Sequence, residues 1–159
     1  MYQKLKDKER MAMVYNNLLA TYNEMQDLVN AEKYSSLALD YYKRYMPEHT
    51  MSIVLNNCAA LRTIQERYSE ADKLYLESLD IAERYNDESM QTKILNNMAL
   101  IALEDNNADL AIEYAQKSQT ISHRLQDTIS ERFAYSCLKD AWQMKMDFTQ
   151  AYLAQSIEL

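Results

Sequence analysis

Few residues in this chain are of types that perform chemistry, and their spacing argues against it. The two histidines, His49 and His123, stand in no histidine, cysteine or carboxylate set at metal-ligand spacing, and no serine and aspartate are placed to complete a relay with either. Both read as surface residues. The chain contains no glycine. Phosphate-cradling loops, dinucleotide fingerprints and nucleophile elbows all need positions where only glycine fits, so its absence argues against these devices and with them most nucleotide enzymes. No catalytic residue, cofactor or metal is expected. The polar residues with the strongest pattern are amides: Asn16-Asn17 recurs as Asn56-Asn57 and again as Asn96-Asn97. An amide carries both donor and acceptor, so a row of them suits bonding to the backbone of an extended peptide. The alternative is that the asparagines bond neighbouring helices or each other and set the spacing of the fold.

The elements that must position these amides follow from the same period. Alanine recurs at Ala31, Ala71, Ala111 and Ala151. Leu18, Cys58, Met98 and Leu138 make one apolar column, and Tyr15, Leu55, Leu95 and Tyr135 another. Every step is forty residues. Within a copy one face follows helical spacing, i, i+3, i+4 and i+7 in Leu55, Cys58, Ala59 and Arg62, then i, i+4, i+7 and i+8 in Ala71, Tyr75, Ser78 and Leu79, which predicts two amphipathic helices per copy. Polar breaks at Gln26-Asp27, Glu66-Arg67, Asn106-Asn107 and Met146-Asp147 divide the copies internally, and Asp7, Pro47, Asp87 and Asp127 separate them, aspartate as a helix cap and proline in a first turn. Helices are predicted near 8–26, 31–46, 49–66, 70–86, 89–105, 109–125, 129–145 and 148–159.

Composition agrees. With no glycine and one proline in 159 residues the chain is poor in turn formers and rich in helix formers, and its length suits one domain. A formal charge of -7, with the basic residues scattered among carboxylates, argues against nucleic acid as a partner of this segment. No apolar run approaches the ~20 residues of a membrane span, so no membrane partner is expected of this segment either. Cys58 and Cys137 fall in different copies, beyond disulfide reach for helices packed ~8–10 Å apart.

Leu55-Asn56-Asn57-Cys58-Ala59, followed by Arg67-Tyr68-Ser69-Glu70-Ala71 and Tyr75, resembles the tetratricopeptide repeat in its longer variety, with an Asn-Asn pair in the first helix, as in kinesin light chains and many bacterial regulators. The resemblance covers essentially the whole chain. It implies an all-α, right-handed α-solenoid of about four helix–turn–helix repeats, near 8–47, 48–87, 88–127 and 128–159, with residues 1–7 as the tail of a preceding repeat. The whole reads as a single domain of 1–159 within a longer protein. Departures are visible: Leu19, Ala59, Ala99 and Lys139 stand where the family favours glycine, and Arg62, Gln119, Lys139 and Glu158 where it favours small or apolar residues.

The resemblance also implies that the first helices line a concave groove for a protein or extended peptide. Its lining would be Asn16, Met13, Ala20 and Asn23, then Asn56, Ile53, Ala60 and Thr63, then Asn96, Lys93, Leu100 and Leu103. Only Lys93 is basic among them, so a mildly polar or apolar segment suits the groove better than an acidic tail. Asn17, Asn57 and Asn97 are expected to be structural, and Ser136-Cys137 ends the ladder in the fourth repeat. Most of the thirteen tyrosines, Tyr41, Tyr42, Tyr45, Tyr68, Tyr75, Tyr85 and Tyr114 among them, are expected in the core, as are Met11, Met13, Met25, Met144 and Met146, the alternative for the methionines being an adaptable binding surface. The function expected is a peptide-binding scaffold, the sensing or interaction module of a larger bacterial-type regulator. The alternative is a self-association module that forms a homo-oligomer through exposed end repeats.

Overall fold

The computed structural model describes residues 2–145 and 152–156. The elements are α1 (Tyr2–Glu24), α2 (Leu28–Tyr45), α3 (Met51–Ile64), α4 (Tyr68–Arg84), α5 (Glu88–Glu104), α6 (Ala108–Leu125) and α7 (Thr128–Met144). A 3-10 turn at Glu48–Thr50 precedes α3, residues 152–156 are helical, and no strand occurs among the described residues. The fold is all-α, as expected. The chain divides into two compact units, Met1–Tyr85 with α1 to α4 and Asn86–Leu159 with α5 to α7.

Each unit is built from helical hairpins. In the first, α1 packs on α2 and α3 on α4, while α3 also packs on α1 and α2; in the second, α5 packs on α6 and α7 on both. The alanine column explains the closeness of each hairpin. Ala31, Ala71 and Ala111 are fully buried, and Ala38, Ser78 and Ser118, seven residues further on, are too. Two turns of small side chains on one face let the helix axes approach and interdigitate. The Ser78 hydroxyl uses that proximity to donate to the Ser52 carbonyl at 2.6 Å, and Ser118 donates to the Thr92 carbonyl at 3.3 Å. Ala151 lies outside the described residues.

The turns work without glycine. Gln26, Glu66, Asn86, Asn106 and Gln126 each adopt the left-handed conformation, with φ of 55°, 59°, 54°, 56° and 57°. The next residue then caps the following helix: Asp27, Asp87, Asn107 and Asp127 accept from the backbone N–H of Asn30, Met90, Leu110 and Ser130. Arg67 occupies the equivalent place before α4 and makes no cap bond, its guanidinium pairing with Glu70 at 2.6 Å instead.

Two boundaries depart from the sequence reading. No break occurs at Asp7, since α1 runs unbroken from Tyr2 to Glu24. Gln3 to Arg10 contains only good or neutral helix formers, and Asp7 is held inside the helix by Gln3 at 3.5 Å and Arg10 at 3.9 Å, so it acts as an i±3/i±4 partner and not as a cap. The third helix starts at Met51, because Pro47 is extended (ψ 146°) and the chain passes through the 3-10 turn first.

Arg62, at a position the family keeps apolar or small, is accommodated by a fork. Its guanidinium meets both oxygens of Glu32 on α2, at 2.6 and 3.1 Å, and the Gln65 amide oxygen at 2.8 Å. The bond from Arg62 holds the Glu32 carboxyl below its usual pKa. The Arg62 side chain is 15% exposed and that of Glu32 45%, so the pair joins a desolvated cation to a screened anion.

Two measurements follow. A double-mutant cycle with Arg62→Leu and Glu32→Gln, read by urea unfolding, is expected to give a coupling of about 1 kcal/mol at pH 7. Because the folded Glu32 carboxyl titrates below its unfolded value, this stabilisation is present above the ordinary carboxylate pKa of ~4 and fades as the pH falls through the lower folded value; a coupling independent of pH would contradict it. Glu66→Gly relieves a non-glycine residue at φ 59° and should stabilise by roughly 0.5–1 kcal/mol, more than Asn106→Gly, because asparagine tolerates that region better.

Candidate functional site

In the first unit the expected lining residues fall on one face of each first helix. Met13, Asn16, Ala20 and Asn23 follow i, i+3, i+7 and i+10 along α1, and Ile53, Asn56, Ala60 and Thr63 repeat that spacing on α3. Met13 and Ile53 are exposed, at 53% and 37%, while Ala20, Asn56, Ala60 and Thr63 are half-buried. Asn16 and Asn23 are over nine-tenths buried and tie the two helices together. The Asn57 side-chain amide donates to Asn16 Oδ1 at 2.9 Å, and the Asn23 amide donates to the Asn57 carbonyl at 2.9 Å. Asn56 Nδ2 lies 3.5 Å from Asn57 Oδ1. Asn57 thus has the structural role read for it, and the ladder divides between helix spacing (Asn16, Asn23, Asn57) and a face within reach of solvent (Asn56). Thr63 is turned back on its own helix, donating to the Ala59 carbonyl at 3.1 Å.

In the second unit Lys93 and Leu100 are exposed on α5 and Leu103 is half-buried. Asn96 is buried and donates to the Ser130 carbonyl of α7 at 3.2 Å, the same kind of bond between first helices that Asn23 makes in the first unit. Both leave an oxygen over: Asn23 Oδ1 and Asn96 Oδ1 are buried without a hydrogen-bond partner. Such an acceptor costs ~1–3 kcal/mol unless a donor reaches it. The sequence reading ended the asparagine ladder at Ser136-Cys137 and named no lining residue beyond it. Yet Ile129, Arg132, Phe133 and Ser136 line a cavity of about 290 Å³ along α7, and Phe133 and Ser136 stand forty residues after Lys93 and Asn96. The period that located the other lining residues points to these as well.

The remaining residues sort by environment. Tyr42 and Tyr75 are core, but Tyr41, Tyr45, Tyr68 and Tyr114 are half-buried and Tyr85 is exposed. The expectation that most tyrosines are core is therefore too broad, because the phenolic tip finds water or a polar partner at the edges of a hairpin. Met11, Met13, Met25 and Met144 are exposed and not core, and Met146 lies outside the described residues. His49 is exposed beside the Tyr85 ring, and His123, also exposed, lies 2.9 Å from a Glu131 oxygen. Cys58 and Cys137 are free, buried thiols; burial pushes them up to about 11 and about 12, far from a reactive thiolate. Among the described residues no three His, Cys, Asp or Glu side chains group as a metal site, and no helix is long and apolar enough to cross a membrane.

Residues 10–84 match the family model described as tetratricopeptide repeat. No curated protein matches the chain. Among solved structures, the crystal structure of BtubC (BKLC) from P. vanneervenii aligns over 95% of this chain with a TM-score of 0.84 at 18% sequence identity, and the chain spans 63% of that protein's length. At that identity the likeness is one of fold. Residues 10–84 therefore belong to the tetratricopeptide repeat family, and the forty-residue period carries the same helix-pair pattern on through α6 and α7.

Proposed function

We propose that the chain is a protein-binding scaffold that holds an uncharged, partly apolar peptide segment on the α1–α3 face of its first unit, as an interaction module of a larger regulatory protein. Tetratricopeptide repeats generally mediate protein–protein interaction. The observation that carries the finer reading is the composition of the face. Exposed Met13 and Ile53 flank half-buried Ala20, Ala60 and the Asn56 amide, so a peptide backbone finds apolar walls, a small-residue floor and a polar handle together. Methionine adapts to irregular side chains, which suits recognition of backbone more than of one sequence. The face in the second unit, with Lys93, Leu100, Phe133 and Arg132, is more basic and extends the choice of ligand to a segment with one acidic residue.

The asparagines separate recognition from stability. Asn16→Ala leaves the half-buried Asn57 amide without its acceptor and should cost about 1 kcal/mol in urea unfolding, with little direct effect on a bound peptide. Asn56→Ala should cost less stability than Asn16→Ala and weaken peptide binding several-fold. Ile53→Asp should abolish capture of the partner by affinity enrichment while circular dichroism shows unchanged helicity. If both Asn56→Ala and Ile53→Asp retain the wild-type set of partners, the α1–α3 face is not the binding surface.

A further inference from the structure

Two helices open a new hairpin by seating on the one before it: α3 on α1 and α2 in the first unit, α7 on α5 and α6 in the second. Two periods apart, matching residues do the same work, so the two seats can be compared position by position. Both seats lie wholly among the described residues. Four of their positions differ in kind. Val54 of α3 is fully buried in the cluster that includes Ala31, Ala38 and Tyr42 of α2. Its counterpart Ala134 is as deeply buried but brings a methyl where valine has an isopropyl group. Met51 of α3 and Leu39 of α2 pack against that same cluster, and their counterparts are Glu131 and Gln119. The Glu131 side chain is 17% exposed, and its carboxylate is met by the Gln119 amide at 3.4 Å and by His123 Nδ1 at 2.9 Å. Gln119 divides its amide with the Tyr135 hydroxyl at 3.2 Å, and no arginine or lysine pairs with Glu131 among the described residues.

The fourth position is a rung between first helices. In the first unit the Asn57 side chain donates to Asn16 Oδ1 at 2.9 Å. In the second unit the place of Asn57 is taken by Cys137, a buried thiol, and the place of Asn16 by Asn96. Asn96 donates to the Ser130 carbonyl at 3.2 Å, but its Oδ1 is buried without a partner, the oxygen for which the rung is missing. Each of these differences lowers the free energy that seats α7. Less aliphatic area leaves water, a carboxylate is desolvated with no permanent cation beside it, and an acceptor is enclosed with no donor. Small side chains let α7 lie close to its neighbours without supplying the aliphatic contacts that α3 has.

We infer that α7 is a releasable helix, which leaves α5 and α6 in a local opening that takes less free energy than freeing α3 from α1 and α2. The face of the second unit, between Lys93 on α5 and Phe133 on α7, then alternates between a seated and an open form. A segment lying across both helices holds the seated form, and its affinity falls with the fraction of molecules in which α7 is open. The release itself needs no ligand and is independent of the α1–α3 peptide face.

Native-state hydrogen exchange read by NMR tests it on the protein alone. The α7 amides exchange at least fivefold faster than those of α3. Gln119→Leu combined with Glu131→Met, which gives α6 and α7 the apolar pair that Leu39 and Met51 form, slows the α7 amides at least fivefold and leaves α3 unchanged. Asn57→Cys, which removes the rung from the first unit, speeds the α3 amides at least fivefold and leaves α7 unchanged. Any of the three falling short overturns the inference; fraying of α7 for reasons other than its seat, for example, would not respond to the paired substitution. Since no ligand enters these measurements, their failure is separate from retention of partners by Asn56→Ala and Ile53→Asp, which bears on the peptide face alone.

Discussion

The structure depends on how closely two helices of one hairpin can lie. Ala31, Ala71 and Ala111, followed by Ala38, Ser78 and Ser118, are buried without remainder, and only side chains of that size leave room for the backbone of the facing helix. The serine hydroxyls reach a carbonyl across the gap, at 2.6 Å for Ser78, a bond that wider spacing would forbid. A hairpin held this way presents two flanks, and neither buries itself. In the first unit one flank of the first hairpin receives the second hairpin, with Asn57 bridging to Asn16 and Cys58 lying 3.2 Å from the Ser35 hydroxyl. What each surface does is set by which flank it is and whether a helix lies on it.

The fold was legible because its rules are local and repeated. A period that never slips over alanine, asparagine and two apolar columns allows one arrangement of helices, and the caps at Asp27, Asp87, Asn107 and Asp127 lie where the polar clusters fall. Asp7 misled because an aspartate before apolar residues is a cap only if the chain ahead of it cannot be helix. Gln3 to Arg10 can. Likewise, Arg62 looked like a misfit in a column of small or apolar residues, and its compensation, Glu32, lies thirty residues away on another hairpin.

The site was legible to a lesser depth. Periodicity told which residues share a face with Met13 and Ile53, but burial of an amide depends on how deeply the next first helix seats against it. Asn16 and Asn96 are drawn into bonds between helices, whereas Asn56 stays within reach of solvent. The α7 cavity was passed over for a simpler reason: the asparagine stops at Ser136, but the face does not. A column is continued by its place on the helix and not by the residue type that first revealed it.

The aromatic residues supply a consequence of another kind. The tyrosines whose rings touch, from Tyr15 to Tyr45, all belong to the first unit, while the one tryptophan, Trp142, half-buried with the Lys145 ammonium 5.5 Å from its ring, belongs to the second. The two units therefore carry different optical reporters without any engineering. Indole emission follows the second unit alone, while near-ultraviolet dichroism is weighted to the ten tyrosines of the first over the three of the second, so comparing the two melts tells one cooperative body from two.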